Sequence, residues 1–255
     1  IIERIERRKL SYSYASSTFK TVDKQKLKGL KNFLAFIFCF IPLFIGFLMP
    51  IIEVSNWALN YTSENFFSDI FIKSFINTIL LGIMAGIICT LFAFLFNFLK
   101  RFETGNYLKG ISFLLSMGYA IPGLVLAVGI IQFFSFLDNN FLRSYFDLIL
   151  TGSIVGLLMA YIIKSYALAN NSIESGYERI NHATDDVSLS LKVSKFKIFF
   201  QVHIPLLKTS ILTSLILVIS EVIKELPATL ILRPFNFDTL AVTTYIYAAE
   251  ERMFE

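Results

Sequence analysis

Long uncharged apolar blocks alternate with short polar stretches along this chain. Phe33–Ile52 is a twenty-residue run without a charge. At ~1.5 Å per residue, a helix of that length covers the roughly 30 Å hydrocarbon core of a bilayer. Pro42 and Pro50 are tolerable there, because neighbouring helices can satisfy the carbonyls they free. The next blocks are Ser74–Leu99, Ile111–Leu137 and Leu148–Ile163, the last prolonged to about Leu168. A Pro122-Gly123 pair inside Ile111–Leu137 predicts a kinked helix. The last block is short: only twelve uncharged residues separate Lys208 from Glu221, about 18 Å of helix. To cross, that helix must run from about Leu206 to Leu226, carry Glu221, Lys224 and Glu225 near membrane depth, and end at Pro227. The pattern predicts an all-α polytopic membrane helix bundle with five transmembrane helices. No further uncharged run of twenty follows Ala228, so a final helix is expected to be missing.

Composition sharpens this reading. Apolar residues make up 55% of the 255 residues, with 28 Phe, and charged residues only 16%, a balance unlike that of a soluble domain. Cys39 and Cys89 both lie in apolar blocks and read as small buried hydrophobes. Residues 1–31 hold nine Lys or Arg against three acids, a net +6 against +4 for the whole chain. A nucleic-acid arm would carry that charge, but the positive-inside bias of a cytoplasmic segment explains it more simply. These residues are read as a basic cytoplasmic segment before the first span, with residues 32–255 as the transmembrane domain. Lys/Arg counts and alternation place Glu53–Lys73 and Asp138–Asp147 outside, and residues 169–208 inside. Lys164 is expected to snorkel to the inner interface. Asn77 and Thr78 need partners in lipid. Gly82/Gly86 and Gly152/Gly156 have GxxxG spacing, whose plainer meaning is ordinary close helix packing.

The polar loop 169–206 is larger than a connection between two helices requires. Thr184 is a candidate cap for a short helix whose first turn holds Asp185 and Asp186, where carboxylates suit the helix dipole. Val187 and Leu191 share one side of it. Ser194 is a candidate cap for a second helix, with Phe196, Phe199, Phe200 and His203 on one face, closed by Pro205. The pair would either project as a knob or lie on the inner leaflet. Glu221, Lys224 and Glu225, at i, i+3 and i+4, share a helical face. That face is either an ion pair among head groups or the lining of a wet pathway. No nucleophile elbow, P-loop or metalloprotease motif occurs. The sequence therefore proposes no catalytic residue, no metal ligand set and no cofactor.

Asp186-Val187-Ser188, three residues, Lys192, nine residues, then Val202-His203-Ile204-Pro205 resembles the EAA loop of binding-protein-dependent ABC importer permeases. Asp186, Val187 and Ser188 stand for Glu-Ala-Ala, and Lys192 stands where the family has Gly. The stretch from Lys224 to Ala241, KELPATLILRPFNFDTLA, resembles the signature that follows this loop in ferric-iron permeases. The resemblance covers nearly the whole chain. It implies the second half of a fused permease in a bacterial inner membrane, lacking its last helix, with residues 1–31 as the basic cytoplasmic linker from an absent upstream half. It also implies partners: a separate ATP-binding subunit gripping Asp185, Asp186, Val187, Ser188, Lys192, Ile204 and Pro205, a periplasmic substrate-binding protein, the upstream permease half and the lipid bilayer, with no nucleic acid. The implied cargo is ferric iron; similar permeases for thiamine, polyamines or oxyanions are the alternatives. A secondary transporter binding substrate at Pro122-Gly123 or a membrane-embedded enzyme are the readings of other classes. Glu221, Lys224 and Glu225 are candidates for the translocation path.

Overall fold

In a computed structural model, residues 27–61, 68–102, 106–142 and 150–251 are described; most of the basic segment 1–31 lies outside them. All regular elements among the described residues are helices, and five are long and apolar enough to cross a membrane. The chain divides into two units, 1–61 and 62–255. In the first, α1 (Leu30–Leu43) and α2 (Met49–Tyr61) run on through a π turn, Phe44–Leu48. That turn ends two residues before Pro50, whose missing N–H and bulky ring disturb the helical ladder there.

The second unit is built on three helices: α3 (Asp69–Phe102), α6 (Ile154–Glu178) and α9 (Ile204–Ile223), each packed on the other two. The Gly82/Gly86 spacing does what close packing needs. A Cβ at either position would press on Ile219 of α9 at 3.3 Å. Hydroxyl pairs add to the packing, as between Thr90 and Ser214 (2.8 Å). Gly152, by contrast, is not on a helix; it lies in the turn before α6 with φ +77. The spacing to Gly156 therefore has no packing meaning.

The expected single kinked helix 111–137 is two helices, α4 (Asn106–Ser116, extended by a 3-10 turn to Ala120) and α5 (Gly123–Leu137). Ile121 is extended (ψ 127), as a residue before proline prefers, and Pro122 offers no N–H to carry the ladder across. The fifth span is also different from expectation. A continuous helical run from Lys195 to Ile223 comprises α8 (Lys195–Ile198), a π turn (Phe199–His203) and α9. Pro205 does not close the loop helix. It follows the π turn by two residues, repeating the relation seen at Pro50. At the other end α9 stops at Ile223, before the expected Leu226, and Pro227 opens α10 (Pro227–Leu232), as proline favours a first helical turn. After α10 the chain turns back, and α11 (Leu240–Ala249) lies against the start of α3. There Asn77 donates to the Asp238 carbonyl (3.0 Å), Thr78 accepts from Leu240 N–H (2.9 Å), and Ser74 bonds Thr243 (2.8 Å). The polar residues that needed partners in lipid have them.

Candidate functional site

The loop between α6 and the fifth span is smaller than expected. Helix α6 continues through residues 169–178, so only 179–194 lie between the two long helices. Here α7 (Ala183–Ser190) carries Asp185 and Asp186 in its first turn. Thr184 is inside this helix rather than its cap, and its carbonyl accepts the Ser188 hydroxyl (2.8 Å). Position 183 is instead tied by Asn181, whose side chain accepts the Ala183 N–H (3.0 Å). Lys192, where the related loops have glycine, is left-handed at φ 57. Ser194 caps α8, accepting the Lys197 N–H (3.4 Å).

The base of this two-helix loop is a buried polar cluster. Arg101, near the end of α3, forms an ion pair with Asp185, its side chain only 5% exposed. The remaining guanidinium nitrogens donate to the carbonyls of Tyr177 (3.1 Å), Ile180 (2.9 Å) and Asn181 (3.0 Å). These carbonyls lie at and just past the C-terminal end of α6, where a cation suits the helix dipole; those of Tyr177 and Asn181 also accept the Ile180 and Thr184 N–H groups. Asp185 also meets His203 Nε2 (2.8 Å), and His203 Nδ1 faces the Tyr177 hydroxyl (3.2 Å). Phe98 stands edge-on to the imidazole at 5.3 Å and to Phe199 at 4.9 Å. Arg101 and Asp185 together thus tie α3, α6, α7 and the π turn.

The four aromatics expected on one face are therefore divided. Phe199 and His203 turn inward, while Phe196 and Phe200 pack on each other in a tilted pair at 4.8 Å and stay exposed with Val187 and Leu191. Asp186, Ser188 and Lys192 lie nearer the surface than Asp185, which is buried. Ile204 and Pro205 belong to the start of α9, past the loop. Arg101 and Tyr177 were not legible as site residues. Arg101 reads in sequence as one more charge of a basic loop, 84 positions from Asp185. The Phe94, Phe98 and Phe102 spacing at the end of α3 was the available hint.

The second set of candidates is also divided. Lys224 pairs with Glu221 (2.9 Å) at the surface, but Glu225 points the other way. It is buried and forms an ion pair with Lys164, whose side chain is 18% exposed. Lys164 does not snorkel, because α6 runs on past it. It lies about 15 Å from the Ile154 end and about 21 Å from the Glu178 end of the helix. The three residues share no helical face, since α9 ends before two of them. Glu225 also accepts the Ala228 N–H (3.3 Å), and Thr229 bonds the Tyr161 hydroxyl (2.7 Å). Gly123 permits this approach: a Cβ there would stand 2.7 Å from Glu225 Oε1. The two helix breaks, at Pro122 and at Pro227, meet at this point.

Comparison with known proteins agrees with these features. The family described as binding-protein-dependent transport system inner membrane component matches residues 82–249. The Fe(3+)-transport system permease protein FbpB 2 of Haemophilus influenzae is 24% identical over 132 residues, 52% of this chain and 24% of that one. A putative ferric transport system permease protein, FbpB 1, of the same organism is 28% identical over 108 residues, 42% of this chain and 16% of that one. The molybdate/tungstate transport system permease protein WtpB of Methanocaldococcus jannaschii is 31% identical over 77 residues, 30% of this chain and 31% of that one. The chain thus spans a third or less of the length of these relatives. A chain in the crystal structure of a bacterial alginate ABC transporter, in complex with an alginate pentasaccharide-bound periplasmic protein, superposes with a TM-score of 0.70. The match is 15% identical and covers 88% of this chain and 85% of that one; it speaks for the fold. With a family match running from the middle of α3 to the end of α11, this chain belongs to the binding-protein-dependent transport system inner membrane components, multi-pass proteins of the inner membrane.

Proposed function

We propose that this chain is the transmembrane subunit of an ATP-driven importer, moved through its 179–194 loop by a separate ATP-binding subunit in the cytoplasm and supplied by a periplasmic binding protein. The supporting observation is the loop's two-sided construction. Its base is locked to the bundle by Arg101, Asp185 and His203. Its tip presents Val187, Leu191, Phe196 and Phe200, each at least 48% exposed, beside the exposed Asp186. An apolar patch of that kind with a charged rim suits a protein surface. A rigid base would pass a push on the tip into α3, α6 and α9.

Ferric iron is the proposed cargo, on the likeness to the two Haemophilus permeases. An oxyanion is the second reading, favoured by the molybdate/tungstate relative. Co-purification of the ATP-binding subunit with the full-length permease tests the coupling. Asp186→Arg is expected to abolish it while leaving the protein in the membrane; retained association would overturn the docking role. Uptake of radiolabelled ferric iron and molybdate, with and without the gene, separates the cargoes. Unchanged iron uptake with lost molybdate uptake would replace iron by the oxyanion.

A further inference from the structure

The buried carboxylate of Asp185 has a different partner on each oxygen. Oδ2 forms the ion pair with Arg101, and as the anion of that pair the group can only accept. The ring nitrogen that meets Oδ1, His203 Nε2 at 2.8 Å, must therefore carry a proton. Arg101 already neutralises Asp185, so a second proton on the imidazole would leave a net positive charge around a fully buried ring. The ring is thus neutral and its Nδ1 is an acceptor. The Tyr177 hydroxyl, 3.2 Å away, is the donor that faces it.

The π turn aims that ring. Ile198 and His203 are both fully buried although five positions apart, a spacing that sets two residues ~140° apart on an α-helix. The turn Phe199–His203 bonds residues five apart and narrows that angle. Helix α8 can then leave Phe196 and Phe200 outside while His203 enters the bundle above the buried Leu207. There the rings of Phe98 and Tyr177 each stand 5.3 Å from it, and Phe102 stacks at 6.2 Å. We infer that Tyr177 and His203 are positioning residues of the coupling loop: Tyr177 O–H donates to His203 Nδ1 and His203 Nε2–H to Asp185 Oδ1, which turns the other carboxylate oxygen to Arg101. This ordered chain joins α6, the π turn and α7. A push on α7 reaches the start of α9 through Asp185 and the imidazole, without passing along the backbone of 191–194. The inference rests on the importer reading and deepens it.

The test uses the full-length permease in lipid nanodiscs with nitrogen-15-labelled histidine, the His203 resonances being assigned by their loss in His203→Gln. At neutral pH the spectrum is expected to show a protonated Nε2 and a bare Nδ1. Tyr177→Phe, which deletes only the hydroxyl, should move the Nδ1 resonance and leave Nε2 protonated. The opposite tautomer, a doubly protonated ring or an Nδ1 resonance blind to Tyr177→Phe would each overturn the proposal. Limited proteolysis between α6 and α8 reads the positioning itself. His203→Gln keeps an N–H donor and is expected to be cut within about twofold of the wild-type rate, whereas His203→Leu, of similar size without a donor, should be cut at least about tenfold faster. Equal rates for the two variants would overturn the positioning role, since the ring would then only fill space. Neither readout needs an ATPase or a cargo, so a negative result leaves the importer reading standing. The expected spectra and cleavage beside undiminished cargo-stimulated ATP hydrolysis in His203→Leu would sink the loop's coupling role instead.

Discussion

Lys164 and Glu225 show what a single buried pair asks of its surroundings. Each is an ion that lipid or protein interior would reject alone, and together they satisfy one another and an N–H at the start of α10. Removing one partner leaves an uncompensated buried charge, at a cost of about 3–5 kcal/mol, whereas replacing both by apolar groups is often close to neutral. Lys164→Met is thus expected to lower the thermal midpoint of the detergent-solubilised protein sharply. The double variant Lys164→Met, Glu225→Leu should recover much of that loss. A double variant as unstable as the single one would mean the pair does no more than fill space. Neither residue looks special in sequence. Lys164 ends an apolar run like many snorkelling lysines, and Glu225 is one of three nearby charges. Their pairing needed α6 to be longer than the apolar run and α9 to be shorter.

At the scale of elements, proline decides where helices stop, bend and start. Pro50 and Pro205 each follow a π turn, Pro122 separates α4 from α5, and Pro227 separates α9 from α10. The residues that do this were visible, but what each would do was not. Proline is compatible with a bulge, a break or a first turn, and neighbouring packing selects among them. Lys192 is the comparable case in the loop. A lysine where related loops carry glycine gave reason to expect a differently shaped bend, yet the backbone keeps the left-handed conformation at φ 57. A side chain there costs about 1 kcal/mol. Lys192→Gly is therefore expected to stiffen the native loop, seen as slower hydrogen exchange at residues 183–194, without loss of coupling. Faster exchange would show that the lysine side chain itself holds the turn.

Taken whole, the second unit is a three-helix core to which loop and breaks are fastened at different heights. Arg101 fastens the loop. Its fork reaches one carboxylate and three carbonyls, a geometry that a lysine ammonium cannot reproduce. Arg101→Lys should weaken the seat by about 2 kcal/mol, the scale of a hydrogen bond to a charged group. The measurable signs are faster proteolysis between α6 and α8 and reduced cargo-stimulated ATP hydrolysis in the assembled complex, with the rest of the bundle unchanged. Equal protection in the variant would remove Arg101 from the coupling route.

Apolar blocks of membrane length, lysine and arginine counts, and the spacing from Asp186 to Pro205 were enough for the all-α class, the number of spans and the family. Each is a local or periodic property that the bilayer itself enforces, since an unpaired backbone in hydrocarbon leaves only the helix open to a lone apolar segment. The boundaries at Glu178 and Ile223 were not legible, nor the division of Phe196 and Phe200 from Phe199 and His203, nor the partners of Arg101 and Lys164. Those depend on which groups come together from 61 to 84 positions apart. In a membrane, the free energy of a charge is set by such a partner and not by its neighbours in sequence, so only the packed structure could decide which charges are buried and which stay exposed.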